Sequence, residues 1–154
     1  MAVFCNFGSV IIRRDSIEKY YQASVLHPPK QSEGTLVHYL RKEKTLKATV
    51  FPRDTEGAKR AELYYRTLKS SPNGSILEIQ LKTGRFHQIR AQLAFIGSPI
   101  LGDVKYGAPF PLAEKKIGLI AYKLIFKHPI TQEPIKIQSP IPQGWPFWKE
   151  QKKT

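Results

Sequence analysis

Strict two-residue alternation runs through "SILEIQLK" (residues 75–82), where Ile76, Glu78 and Gln80 oppose Leu77, Ile79 and Leu81, so this segment predicts a half-buried strand. The tyrosine- and valine-rich "KYYQASV" (19–25), "TLKATVF" (45–51) and "AELYYRTLK" (61–69) predict further strands. Between the first two, "HPPKQSEG" breaks the pattern with two prolines and a glycine. "SSPNG" joins 61–69 to 75–82 as a hairpin, with Asn73 and Gly74 both suited to positive φ. Farther on, "GLIAYKLIFKHP" and "PIKIQSP" predict a closing strand pair bounded by prolines.

The period changes at residues 86–96. Stepped at about 100° per residue, Phe86, Ile89, Leu93 and Ile96 fall on one arc, which predicts an amphipathic helix ended by Gly97. Gln88 and Gln92 form a separate polar patch, and Arg90 lies beside the apolar stripe near Ala94 and His87. Strands dominate around this principal helix. The expected class is α+β, a mainly antiparallel mixed sheet in a single domain over 1–154. Both tryptophans lie in "QGWPFWKEQKKT", a tail expected to dock by its rings and then to fray over about 149–154.

Charge changes the picture. The 154 residues carry 25 Lys+Arg against 12 Asp+Glu, a formal +13, and such an excess points to a polyanion, with nucleic acid as the first candidate. Residues 41–60 hold seven basic against three acidic side chains, so Arg41, Lys42, Lys44 and Lys47 are candidates for tracking a phosphate backbone. The same lysines also fit a solvated strand and loop. No stretch is long and apolar enough to predict a membrane span. The arginines of "MAVFCNFGSVIIRR" follow the apolar run, the wrong order for a secretory signal. With Cys5 as the single cysteine, neither an intrachain disulfide nor a cysteine-based zinc site is expected, and His27, His38, His87 and His128 show no ligand spacing. The expectation is a cytoplasmic protein that uses no metal or cofactor.

A guanidinium at the edge of a core needs an anion, because an unpaired buried charge is costly. For Arg90 the partner is either a carboxylate from elsewhere in the fold or a phosphate of bound nucleic acid. Arg85 and His87 sit at the predicted helix start, where free N–H groups favour anions.

The stretch "LKTGRFHQIRAQLAFIGSPILGDVKYG" (81–107) closely resembles the signature of the RluA-type RNA pseudouridine synthases, roughly T-G-R-x-H-Q-I-R-x-x-L-A-x-x-G-x-P-I-x-G-D-x-x-Y-G. Upstream, "KYYQASV" is similar to that family's K-x-Y-x-A-x-V strand and aligns Tyr21 with its active-site tyrosine. Downstream, residues 117–142 are similar to its closing strands, so the resemblance spans about 17–147, with residues 1–16 unaligned. Phe86, Gln92 and Ser98 depart mildly from the pattern. The resemblance implies isomerisation of uridine to pseudouridine in rRNA or tRNA, with no cofactor. In that reaction the N1–C1′ bond breaks, the uracil turns, and C5 bonds to C1′.

One departure is larger. The family carries its nucleophilic aspartate in an R-L-D-x-x-T-S-G type motif, which this sequence lacks; its aspartates are Asp15, Asp54 and Asp103, and the last fills the family's separate G-D position. The resemblance therefore implies the C-terminal portion of such an enzyme, inactive alone. Tyr21 would supply the ring that stacks on uracil, and Arg90 would pair with a carboxylate this chain does not carry. Arg85 and His87 would contact RNA. Partners would be RNA and either a missing N-terminal half or a second copy joined through an exposed sheet edge. Two other readings stay open: a non-catalytic RNA-binding module, and a small basic ribosome-associated protein of unrelated function.

Overall fold

In the computed structural model, which describes residues 16–151, seven strands form one sheet. They are β1 (Glu18–Val25), β2 (Glu33–Lys42), β3 (Ala48–Phe51), β4 (Lys59–Ser71), β5 (Gly74–Leu81), β6 (Leu119–Lys127) and β7 (Pro134–Gln138). Their order across the sheet is β3-β2-β4-β5-β1-β6-β7, and each pairing is antiparallel. Helix α1 (Gln88–Phe95) follows β5 and lies against β3 and β2, at one end of the sheet.

The expected hairpin is present. Ser71 and Gly74 close β4 onto β5, but only Gly74 takes positive φ, at 143°, while Asn73 does not. A Cβ on Gly74 would stand 2.4 Å from the Val25 carbonyl oxygen and 2.9 Å from Trp148 Nε1, so two segments close over a position where only hydrogen fits. The largest strand missed by the periodicity is β2. Its alternation, Leu36, His38 and Leu40 against Thr35, Val37 and Tyr39, is interrupted by His38, which made "EGTLVHYLRK" look like loop.

Alternation sorts the sheet into two faces. Ala61, Leu63 and Tyr65 of β4, Leu77 and Ile79 of β5, and Ala23 and Val25 of β1 are buried beneath Ile89, Leu93 and Ile100. A second cluster joins Leu40, Ala48 and Ala61 to Ala91 and Tyr106, with Phe86, Val50 and Ala94 at its margin. Phe86 therefore packs beside the β2–β3 end rather than on the Ile89–Leu93 stripe. The tail docks as expected, with Trp145, Phe147 and Trp148 against Leu26, Leu101 and Leu112. Its expected fraying from residue 152 on lies outside the described residues, as does the N-terminal segment through Asp15.

The helix is shorter at both ends than the periodicity predicts. Its last turn closes with Gly97 N–H donating to the Ala94 carbonyl and Ser98 N–H to the Leu93 carbonyl, with Gly97 at φ 85°. That is a Schellman stop. Gln88 and Gln92 do not form a solvent-facing patch; both are buried. Their amides satisfy strand backbone that the helix covers, which hydrophobic periodicity does not encode.

A candidate RNA-binding and catalytic surface

Residues 83–88 are fixed by one side chain. Gln88 Oε1 accepts from Thr83 Oγ1 at 2.8 Å and from the Arg85 N–H at 2.9 Å, while its Nε2 donates to the Glu62 carbonyl at 3.0 Å. These bonds tie the loop to β4 and leave His87 at φ 51°, ψ 28°, capping α1 in the left-handed region. The Arg85 N–H is thus already satisfied, and the Arg85 side chain turns to the Arg60 carbonyl, Nε to O 2.8 Å. The predicted array of free N–H donors around Arg85 is reduced accordingly.

The strained cap aims the imidazole inward. His87 Nε2 lies 3.0 Å from Arg90 Nη1 and its Nδ1 lies 2.9 Å from the Tyr106 hydroxyl. A guanidinium only donates, so Nε2 must accept, and the ring proton belongs on Nδ1, facing Tyr106. The Tyr106 oxygen also accepts the Ala48 N–H at 2.8 Å, which joins this corner to β3. Burial, and then the neighbouring Arg90, Lys105 and Lys42 charges, hold the His87 pKa below its ordinary value.

Arg90 corrects the sequence expectation. Its Nε and Nη2 donate to Asp103 Oδ2 and Oδ1, each at 2.8 Å, a bidentate pair with a carboxylate that is 1% exposed. The partner comes from this chain, thirteen residues away, delivered by the "ILGD" corner. The expectation of a carboxylate from outside fails because the G-D aspartate was assigned a separate role and its approach to α1 depends on the turn at Gly102. The hydrogen bond from Asp103, outweighing burial, raises the Arg90 pKa.

Around this pair the structure gathers several of the expected cations. Lys42 Nζ lies 4.5 Å from the Phe86 ring centroid, and Phe86 stacks on His87 at 3.9 Å. Lys47 Nζ stands 5.4 Å from the Tyr106 ring centroid, and Arg90 Cζ 4.9 Å from the same ring. Lys105, which sequence reasoning did not single out, bonds the Leu46 carbonyl at 2.6 Å and brings a further charge to the corner. Arg41 and Lys44 are not brought there. Arg41 points to Glu43 and the Phe51 ring, and Lys44 is exposed in the β2–β3 turn.

Tyr21 is separate. It lies on β1, paired with Ile79 and Ala121, and packs against the main core on the helix-bearing face. No hydrogen bond or ring contact joins it to Arg90 among the described residues. Burial raises its pKa, so its hydroxyl stays protonated near neutrality. Its neighbour Tyr20 points to the other face and donates to Glu18 at 2.6 Å; burial and that carboxylate push it up to about 12. Among the described residues, no cluster of three or more His, Cys, Asp or Glu is placed to hold a metal, and no helix is long and apolar enough to cross a membrane.

Against known proteins, residues 6–95 match the family described as RNA pseudouridylate synthase. An uncharacterised RNA pseudouridine synthase of Chlorobaculum parvum is 31% identical over 156 residues, covering 90% of this chain and 48% of that protein. The ribosomal large subunit pseudouridine synthase D of Xanthomonas campestris is 35% identical over 96 residues, covering 54% of this chain and 29% of that protein. Among solved structures, human RNA pseudouridylate synthase domain containing 4 superposes with a TM-score of 0.67 at 24% identity, over 87% of this chain and 60% of the other. The chain spans about half the length, or less, of these curated relatives.

Proposed function

Because the chain belongs to the RNA pseudouridylate synthase family, we propose that it binds RNA and holds part of a uridine-isomerising site. The observation that carries this reading is the corner built from the 83–107 motif, where Arg90, Lys42, Lys47 and Lys105 surround His87 and Tyr106 on the helix-bearing face that also displays Tyr21. Four cations against Asp103 favour a phosphate backbone.

Tyr21 is assigned the uracil. Extrusion from the stack brings the base to an aromatic ring, and the protonated phenol of Tyr21 is suited to exchange a proton at C5 as the base turns. The nucleophile at the ribose is assigned to a carboxylate outside these 154 residues. Within the chain, Asp103 commits both oxygens to Arg90, Asp54 stands exposed in the 52–58 loop, and Asp15 lies outside the described residues. Grouped catalytic residues fail together when one is removed, so the chain alone is assigned binding without turnover.

The test uses RNA labelled with tritium at uridine C5, since pseudouridine formation releases that hydrogen. Purified chain is expected to bind the RNA in a salt-dependent way and release no tritium above background. Turnover by the chain alone would overturn the assignment of the nucleophile, and absence of any RNA binding would overturn the reading as a whole.

A further inference from the structure

The donor count of Arg90 leaves part of it unused. Of five N–H groups, Nε and one on Nη2 serve Asp103, and one on Nη1 serves His87. One N–H remains on each terminal nitrogen. The side chain keeps 21% of its surface exposed, although the carboxylate that holds it is 1% exposed. Such a guanidinium is held from behind and open in front.

What surrounds it favours one kind of ligand. Lys42 and Lys105 are exposed and close enough to bear on His87, and Lys47 lies over Tyr106. Asp103 is the acid that faces the corner, and its charge is spent on Arg90. The imidazole offers no proton on Nε2, and Tyr106 is tied to Ala48. A neutral ligand would leave the cationic excess uncompensated, whereas an oxyanion would meet two donors already aimed and three mobile ammonium groups.

We propose that Arg90, with Lys42, Lys47 and Lys105 around it, forms a binding site for one RNA phosphate, and that Asp103 and His87 act as positioning residues which hold the guanidinium in place. This assigns Arg90 to the backbone of the RNA rather than to the reacting ribose, and it brings Lys105 into the interface. It rests on the reading of the chain as RNA-binding. Because a fixed guanidinium loses no side-chain freedom on binding, this contact should count for more than any of the surrounding lysines.

The experiment is a titration of a fluorescein-labelled single-stranded oligouridylate by fluorescence anisotropy, repeated at several salt concentrations, with wild type, Arg90→Gln and the double variant Lys42→Gln/Lys105→Gln. Arg90→Gln is expected to weaken binding by about tenfold or more, since hydrogen bonds to charged groups exceed neutral ones. The slope of log affinity against log salt is expected to fall by roughly 0.7 per lost phosphate contact on a single strand. Arg90→Gln leaves Asp103 buried without its partner and so risks misfolding. The lysine double variant replaces exposed side chains, and it should lower the slope while keeping the wild-type circular dichroism spectrum.

A second measurement uses wild type alone. The His87 ring is followed by NMR through a pH titration with and without the oligonucleotide, and its pKa is expected to rise when an anion offsets Arg90, Lys42 and Lys105. An unmoved His87 pKa with bound RNA, or wild-type affinity and slope in a folded Arg90→Gln or lysine double variant, overturns the phosphate site. Failure of wild type to bind the oligonucleotide overturns instead the RNA-binding reading beneath it.

Discussion

At the scale of single residues, Arg90 shows what a linear motif reveals and what it hides. Its place beside the helix stripe was legible from periodicity, as was its need for an anion. The identity of the anion was not, because Asp103 reaches it only after the chain reverses at Gly97 and again at Gly102. The state of His87 was equally hidden, since it follows from the fact that Arg90 can only donate. That state has a pH consequence. Burial and the nearby cations lower the His87 pKa, and burial lowers that of His38, whose Nδ1 accepts from Gln92 Nε2 at 2.9 Å. The unfolded chain therefore takes up protons first as pH falls through about 6.5, so stability decreases below that value and levels off once the folded-state pKa values are passed. Urea unfolding of wild type at pH 7.5 and pH 5 should give a lower midpoint at the acid pH. His87→Gln should shrink that difference, and an equal drop in the variant would show that His87 is not protonated on unfolding.

The elements divide by how much of their burial is apolar. Strands β1, β4, β5, β6 and β7 were legible because two-residue alternation is what one covered face demands. Strand β2 was hidden by His38, a polar residue on the covered face that is admitted because Gln92 bonds it. Helix α1 was found but misread on one side for the same reason: Gln88 and Gln92 look solvent-facing in a hydrophobic pattern, yet they supply hydrogen bonds to backbone of β2 and β4 and to the loop before the helix. Gln88 carries the larger consequence, because it fixes the segment that sets the His87 cap. Gln88→Ala leaves the Arg85 N–H and the Glu62 carbonyl without that partner and should cost about 2 kcal/mol, the range for a buried group left unsatisfied. The midpoint of urea unfolding measures that loss. The Arg85 amide should also lose hydrogen-exchange protection in the variant, and retained protection would show that another group holds the loop.

For the whole molecule, a net charge of +13 says that a polyanion is favoured but not where it sits. The fold separates the charges by face. On the sheet face away from α1, Glu33, Glu62 and Glu78 sit beside Glu18, and their partners are Tyr64, Arg60, Arg66 with Lys123, and Tyr20 respectively. Tyr122 also donates to Glu78, which is 7% exposed at the floor of a cleft of about 260 Å³ lined by Tyr20, Tyr64 and Gln80. Cations on this face are thus already matched to carboxylates, so releasing them to a phosphate would expose the acids they cover. The corner around Arg90 has the opposite balance. Arg66→Gln and Lys123→Gln should therefore leave RNA affinity within about twofold of wild type, and the salt slope unchanged, since neither surrenders a phosphate contact. Lys42→Gln and Lys47→Gln should each lower that slope although they remove the same unit of charge. If all four variants weakened binding alike, net charge alone would govern the interaction and the face that RNA approaches would have no preference.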